Sequence, residues 1–338
     1  MKAAVFAFSA RGCDTARAVL WALEGWEVCA YTVERLVKDG FLPLGKPAPA
    51  FYGGLFSVCD ALIFVGSAGI AVREIAPHVR DKRTDPAVIC IDERGQYVIP
   101  LLSGHIGGAN ALSRRLAEAM GALPVVTTAT DVNGRFSVDA WAAERGLVIG
   151  DIKAAKAVSA AILEGDVSLV SDFPIVTALP AGVAAGGSGP VGICISCRTE
   201  RPFDVTLPLI PRVLRLGIGC RRGTAKEAID AAVNAAFSAN GLDLRAVKGV
   251  YSIDLKAGEA GLLAFCAQRG WPAVFYSAAE LQTAKGGFTP SAFVQSVTGV
   301  DNVCERAALL GAERLIVKKT AGGGVTVAVA EEKLEVGF

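Results

Sequence analysis

Ser103-Gly-His-Ile-Gly-Gly-Ala-Asn110 stands between an apolar run, Tyr97-Val-Ile-Pro-Leu-Leu102, and a helical pattern over Ala111–Met120. Leu112, Leu116 and Met120 recur at helical spacing and give that segment one apolar face. The block therefore reads as a strand-to-helix turn, a place where backbone N–H groups gather and can face an anion. Gly104, Gly107 and Gly108 permit close approach of a ligand, and Ser103 and Asn110 can donate or accept hydrogen bonds. His105, one of only two histidines in 338 residues, can move a proton near neutral pH. The structural alternative is a tight turn whose histidine caps the next helix. The flanking sequence weighs between the two.

Working outward, Lys2–Phe8, Glu27–Thr32, Ala61–Val65, Val88–Ile91, Gln96–Leu102 and Val125–Thr128 read as strands. Helices are expected over Arg11–Glu24 and Ile70–Ala76, and Val37–Tyr52, broken by glycine and proline, reads as an irregular connection. Strands alternating with helices predict an α/β chain of several small units with mainly parallel sheets. Ligands of such sheets bind beyond the carboxyl ends of the strands. Gly66–Gly69, Asp92–Gly95, Ser103–Asn110 and Thr127–Gly134 each follow a strand, so they are expected to converge on one crevice.

The texture changes near Gly150. A helix is expected over Asp151–Leu163, strands over Val167–Val170 and Val191–Cys197, and a proline-bearing linker over Arg201–Pro211. A further unit opens with the strand Val213–Gly219 and the helix Ala225–Ala239, and ends in a hairpin across Ala321-Gly-Gly-Gly324. The expected organisation is an N-terminal α/β domain over 1–145, a variable middle region and linker over 146–212, and a C-terminal α/β domain over 213–338.

Composition narrows the function classes. Apolar residues make up 52% and charged residues 20%, with a formal charge of +1. That balance gives no bulk electrostatic reason to expect nucleic acid or a membrane surface. No stretch approaches an uncharged membrane span, and the start reads as a first strand rather than a signal peptide. Nine cysteines without paired zinc spacing, Cys194-Ile-Ser-Cys197 included, read as reduced and structural, which points to the cytoplasm.

Three further stretches bear on chemistry. Gly66-Ser67-Ala-Gly69 opens a helix with Arg73 one turn in. Gly217-x-Gly219-x-x-x-Gly223 has one residue too many for a dinucleotide fingerprint, and Arg221-Arg222 beside it suits a carboxylate or phosphate. Thr127-Thr128-Ala-Thr-Asp131 places hydroxyls and a carboxylate after an apolar run, so Asp131 can orient His105 or take a proton itself, with Asp92 and Glu93 in reserve. Asp81-Lys-Arg-Thr-Asp-Pro86 reads as a charged surface loop, and His78 as a surface or capping residue.

With these residues in view the chain resembles the CbiG family, the cobalt-precorrin-5A hydrolases of the anaerobic route to cobalamin. The N-terminal blocks that carry the resemblance are Gly66–Ile70, Lys82–Val88, Ile99–Asn110 and Val126–Asp131. The C-terminal blocks are Leu216–Thr224, Phe275–Ser277, Phe288–Ser291 and Ala307–Leu309 leading to Leu315–Lys318. The resemblance implies opening of a δ-lactone on a ring-contracted cobalt-corrinoid and release of the extruded carbon as acetaldehyde. It implies no cofactor of the protein's own and no protein-held metal, because cobalt arrives inside the substrate macrocycle. His105 and Asp131 are then the expected catalytic pair, with the Gly107 and Gly108 amides as oxyanion donors. Gly66, Ser67, Gly69, Arg73, Ser103, Gly104, Gly107, Gly108, Asn110, Thr128, Gly219, Arg221 and Arg222 are expected to hold the substrate. Homo-oligomers, or contact with neighbouring pathway enzymes, are the expected protein partners. The alternatives are a non-catalytic tetrapyrrole-binding and handover protein, or a nucleotide-dependent enzyme built on Gly217–Gly223.

Overall fold

The computed structural model describes Met1–Phe338 except Asp39, Lys82, Arg83 and Ile106. The chain divides into two compact units, Met1–Ala140 and Trp141–Phe338. In the first, β1 (Lys2–Ala7), α1 (Ala10–Ala22), β2 (Glu27–Thr32), β3 (Phe41–Pro43) and α2 (Ala48–Val58) come first. They are followed by β4 (Ala61–Val65), α3 (Ala68–Ile75), β5 (Ala87–Ile91), β6 (Tyr97–Leu102), α4 (Ala109–Met120), β7 (Leu123–Pro124), α5 (Ala129–Val132) and the first residues of α6 (Val138–Glu144). The strands form one sheet in the order β3-β2-β1-β4-β5-β6-β7.

The mainly parallel sheet is as expected, and burial explains it. Val5, Ile63 and Ile89 face α1 and α4 on one side, while Phe6, Leu62, Phe64 and Val88 face α2 and α3 on the other. Strands covered on both faces read as continuous apolar runs. Phe6 and Phe64 lie 4.7 Å apart between ring centroids, and Tyr52 of α2 stands 5.1 Å from Phe6. The segment expected to be irregular therefore carries a helix. Pro47 is its N-cap and Pro49 sits in its first turn, where a missing N–H costs nothing. Tyr52 and Phe56 then bury one face. His78 is not the surface residue expected from sequence: its ring packs on Phe56 and over Gly53, with Nε2 buried and unpartnered among the described residues.

Two strands, β6 and β7, depart from the parallel pattern. Asp92 accepts hydrogen bonds from the N–H groups of Arg94, Gln96 and Tyr97 at 3.0, 2.7 and 2.7 Å, and Gly95 takes φ 68°. This closed turn sends the chain straight back, so β6 pairs antiparallel with β5, Leu102 opposite Val88. Its carboxyl end thus lies where β4 and β5 begin, and β7 runs parallel to β6. Ser103–Asn110 and Thr127–Asp131 consequently share one edge of the sheet, with Gly66–Gly69 and Asp92–Gly95 at the other, about 16 Å away for five-residue strands. The four turns do not converge on one crevice.

The second unit holds two sheets. The first of these contains β8 (Val148–Ile149), β9 (Val167–Ser171), β10 (Val183–Ala185), β11 (Val191–Ile195) and β12 (Val205–Ile210), with α7 (Ile152–Glu164) packed on it. Its order is β10-β9-β11-β12-β8. The expected linker over Arg201–Pro211 is in fact β12, with Leu207, Leu209 and Ile210 fully buried. Its prolines hid it: Pro208 has no N–H for a ladder, but the short β8 pairs only with Leu209 and Ile210 on that side.

The other sheet begins with β13 (Leu214–Cys220), α8 (Lys226–Ala239), β14 (Val247–Ile253), α9 (Ala260–Arg269) and β15 (Ala273–Tyr276). Then come α10 (Ala278–Thr283), α11 (Ala292–Thr298), α12 (Cys304–Leu309), and the hairpin strands β16 (Arg314–Gly322) and β17 (Val325–Glu331). The order β15-β14-β13-β17-β16 is parallel through β13 and antiparallel beyond it. Gly217 lies in β13 because α12 crosses it at backbone contact: a Cβ there would sit 1.9 Å from the Cys304 carbonyl oxygen. Gly217→Ala is expected to lower stability by about 3 kcal/mol, the upper end for overpacking against atoms that cannot rotate away. Gly219→Ala, which meets only the Thr326 hydroxyl at 2.6 Å, should cost much less. Urea midpoints of the two variants check this, and equal losses would overturn it.

Candidate active site

The Ser103–Asn110 turn closes on itself. Ala109 and Asn110 N–H donate to the Ser103 and Gly104 carbonyls at 3.1 and 2.9 Å, and Gly108 N–H donates to His105 O at 2.9 Å. Of the two amides expected to face an oxyanion, Gly108's is therefore occupied within the turn. The glycines have steric causes. A Cβ on Gly104 would meet Asn110 Oδ1 at 2.8 Å, one on Gly107 would meet the Ser103 Cβ at 2.3 Å, and Gly108 takes φ 78°. Ser103 itself adopts φ 58°, a left-handed conformation uncommon outside glycine, and its hydroxyl donates to Asp85 O at 2.9 Å. Such over-determined backbone is characteristic of functional sites.

This closure presents the His105 side chain. Its Nε2 lies 3.1 Å from Asp131 Oδ2 and 3.3 Å from Thr130 Oγ1. Its Nδ1 lies 3.1 Å from Asp139 Oδ1 on α6. Asp131 is held in turn by Arg114 at 2.5 Å and by Asn110 Nδ2 at 3.0 Å, and Asn110 also donates to Thr128 Oγ1 at 2.8 Å. The Asp139 hydrogen bond raises the His105 pKa above the ordinary imidazole value; burial opposes this, and the Asp139 charge and Asp131 add to the rise. Burial pushes Asp131 up, but the bonds from Arg114 and His105 outweigh it and hold the carboxyl below its usual range.

The structure thus brings together His105, Asp131, Asn110, Thr128, Ser103 and the three turn glycines. It leaves Gly66, Ser67, Gly69 and Arg73 at the opposite edge, where Ser67 begins α3 without a side-chain cap bond and Arg73 is exposed. The reserve carboxylates lie there too: Asp92 closes the β5–β6 turn and Glu93 accepts from Ser9 Oγ at 2.9 Å. Asp85 of the charged loop accepts from Arg80 N–H, while Lys82 and Arg83 lie outside the described residues. Asp139 escaped sequence reading because an acid in the first turn of a helix is ordinary.

In the second unit, Gly219, Arg221 and Arg222 line a cavity of about 590 Å³. Lys256 and Lys319 add cations to its wall, Lys256 paired with Glu259 at 3.0 Å. Phe293 and Val297, one turn apart on α11 and 75% and 60% exposed, line it as well. The Gly217–Gly223 stretch is no nucleotide cradle: Gly217 contacts α12, and Gly223 N–H donates to Glu259 Oε1 at 2.5 Å. A carboxylate of the protein already occupies that amide. Among the described residues no helix is long and apolar enough to cross a membrane.

Comparison with known proteins agrees with the residues. Residues 50–131 match the family model for the cobalamin synthesis G N-terminal region, and 214–330 that for the cobalamin synthesis G C-terminus. A cobalt-precorrin-5A hydrolase of Salmonella typhimurium is 37% identical over 314 residues, 88% of this chain and 89% of its own. Another, from Priestia megaterium, is 35% identical over 82% of this chain and 79% of its own. A crystal structure of a cobalamin biosynthesis protein G homologue from Sulfolobus solfataricus covers 98% of this chain and 97% of its own, at 20% identity and a TM-score of 0.42. With both terminal regions matched and more than a third of residues shared over most of the length, the chain belongs to the CbiG family of cobalt-precorrin-5A hydrolases.

Proposed function

We propose that the protein is a cobalt-precorrin-5A hydrolase. It opens the δ-lactone of the ring-contracted cobalt-corrinoid and releases acetaldehyde, giving cobalt-precorrin-5B. The observation that carries this reading is identity to curated hydrolases over most of the chain, spanning the segment with His105 and Asp131. Lactone opening needs a proton moved to or from a reacting oxygen, and the carbon–carbon cleavage that follows needs the proton of the new hydroxyl removed. His105 is suited to that transfer, with Asp131 fixing its ring and Ser103, Gly104, Gly107, Gly108, Asn110 and Thr128 shaping the turn around it. The conjugated macrocycle accepts the electron pair of the broken bond. On this reading the enzyme needs no cofactor, since cobalt enters as part of the substrate, and it acts in the cytoplasm.

The substrate's acetate and propionate side chains call for cations. Arg73 with Gly66, Ser67 and Gly69 offers one such group, and Arg221 and Arg222 with Gly219 another. The cavity of about 590 Å³, lined by both cationic and apolar side chains, also suits the second reading, a tetrapyrrole-binding and handover protein of the pathway. Incubation with the lactone-bearing corrinoid separates the two. Acetaldehyde with a stoichiometric product supports the hydrolase, whereas tight binding with no acetaldehyde supports handover. Each charge-assisted contact contributes about 1.5–3 kcal/mol, so Arg221→Ala or Arg222→Ala should raise KM roughly ten- to a hundredfold with kcat little changed. A loss confined to kcat would remove these arginines from carboxylate binding.

A further inference from the structure

We propose that Asp139 is a positioning residue which, opposite Asp131, holds His105 as an imidazolium, so that His105 enters the reaction as a proton donor. The argument is one of proton count. A neutral imidazole has one N–H and one lone pair, yet both ring nitrogens of His105 face carboxylate oxygens at 3.1 Å. A lone pair turned toward a carboxylate is repelled, so both nitrogens carry protons unless an aspartate does. Asp131 is the poorer candidate for that proton, because Arg114 and Asn110 already donate to it. The charged groups around the ring are Asp131 on α5 and Asp139 on α6, which meet it, and Arg114 on α4, which meets Asp131. Arg135 lies on the segment joining α5 to α6. The ring and both carboxylates are largely buried, with side-chain exposures of 18%, 14% and 10%. Solvent therefore replaces this pairing poorly.

A protonated ring assigns an order to the chemistry, and this part rests on the hydrolase reading. Water adds to the lactone carbonyl and its proton passes to solvent. The ring C–O bond breaks, and the leaving alkoxide takes the Nε2 proton of His105. The imidazole, now neutral and still held at Nδ1 by Asp139, removes the proton of the new hydroxyl. The carbon–carbon bond breaks, its electron pair enters the macrocycle, acetaldehyde leaves, and His105 is an imidazolium again. The same group is acid first and base second.

The chain has only two histidines, so ring protonation can be read directly by proton–nitrogen NMR, with His78→Gln assigning the other signal. The expected result is that His105 stays protonated through neutral pH and titrates well above the ordinary imidazole value. In Asp139→Asn its midpoint should fall toward the ordinary imidazole value. An unshifted His105 in the parent, or one unmoved in Asp139→Asn, overturns the proposal whether or not the protein is a hydrolase. In the activity arm, kcat for acetaldehyde release should fall as pH rises through the His105 midpoint, and Asp139→Asn should move that fall to lower pH. At pH 8 the variant should lose on the order of ten- to a hundredfold in kcat with KM retained, as when an outer partner of a working imidazole is removed. A rate that instead rises through the midpoint overturns the donor role. If the parent releases no acetaldehyde, the hydrolase reading fails while the NMR result still decides the state of the ring.

Discussion

His105→Asn is expected to slow acetaldehyde release by about 10²–10⁴-fold, the usual loss when a positioned proton-transfer group is removed. Corrinoid affinity should survive, because the arginines that would hold carboxylates lie elsewhere. The change also touches stability, since Asp131 and Asp139 each lose one of several partners, at a cost on the order of 1 kcal/mol per lost hydrogen bond. The direction with pH follows from the two shifts. His105 is raised in the folded state, so its contribution is complete below the ordinary imidazole value and disappears as pH rises through the folded value. Asp131 is lowered, so its contribution is complete above the ordinary carboxylate value and disappears as pH falls through the folded one. The parent should therefore gain most over His105→Asn between those limits, and the gain should shrink on either side. Steady-state acetaldehyde assays and urea midpoints across pH measure both effects. A variant turning over within about threefold of the parent, far inside the expected range, would make His105 a structural tie only.

Arg215→Ala is expected to remove about 3–5 kcal/mol of stability, as loss of one member of a buried ionic network does. Arg215 lies inside the third sheet, 7% exposed. Its guanidinium donates to the Ala308 and Leu310 carbonyls at 3.1 and 2.6 Å, closing the end of α12. It also donates to Tyr276 Oη at 2.7 Å and to Glu332 Oε1 at 3.2 Å, and stacks 3.5 Å from the Tyr251 ring centroid. Truncation leaves two carbonyls of the α12 end without a donor and empties the space over Tyr251. Glu332 keeps Lys248 at 2.6 Å, so the orphaned carbonyls carry most of the cost. Arg215→Lys should recover little, because an ammonium has no planar fork to reach all of these acceptors at once. Urea unfolding is the measurement, and a loss under about 1 kcal/mol would contradict the reading of this residue as a clamp.

The central strands were legible because their apolar runs are buried on both faces, where neither period nor neighbour alters the reading. The direction of β6 was equally present in the sequence. Only Asp92–Gln96 separates it from β5, far less than a parallel crossover needs, and an Asp-to-Gly turn is a hairpin signal. Expecting every turn at one edge concealed it. Proline hid α2 and β12, in both cases at positions where a missing N–H is harmless. His105 and Asp131 could be paired because each follows a strand and the two strands, β6 and β7, are parallel neighbours. Asp139 could not be found that way, since its role depends on how α6 returns to the turn.

β13 meets β14 on one side and β17 on the other, so one flank of its ladder comes from Val325–Glu331. During synthesis Leu214–Cys220 leaves the ribosome long before that flank exists. Until then a strand of mostly apolar residues presents open N–H and C=O groups to any neighbouring nascent chain. Arg215, second residue of that strand, then has none of its final partners from α12, and an uncompensated charge within a bare edge disfavours pairing with another chain. The same guanidinium that clamps the finished sheet thus works against aggregation of the unfinished one.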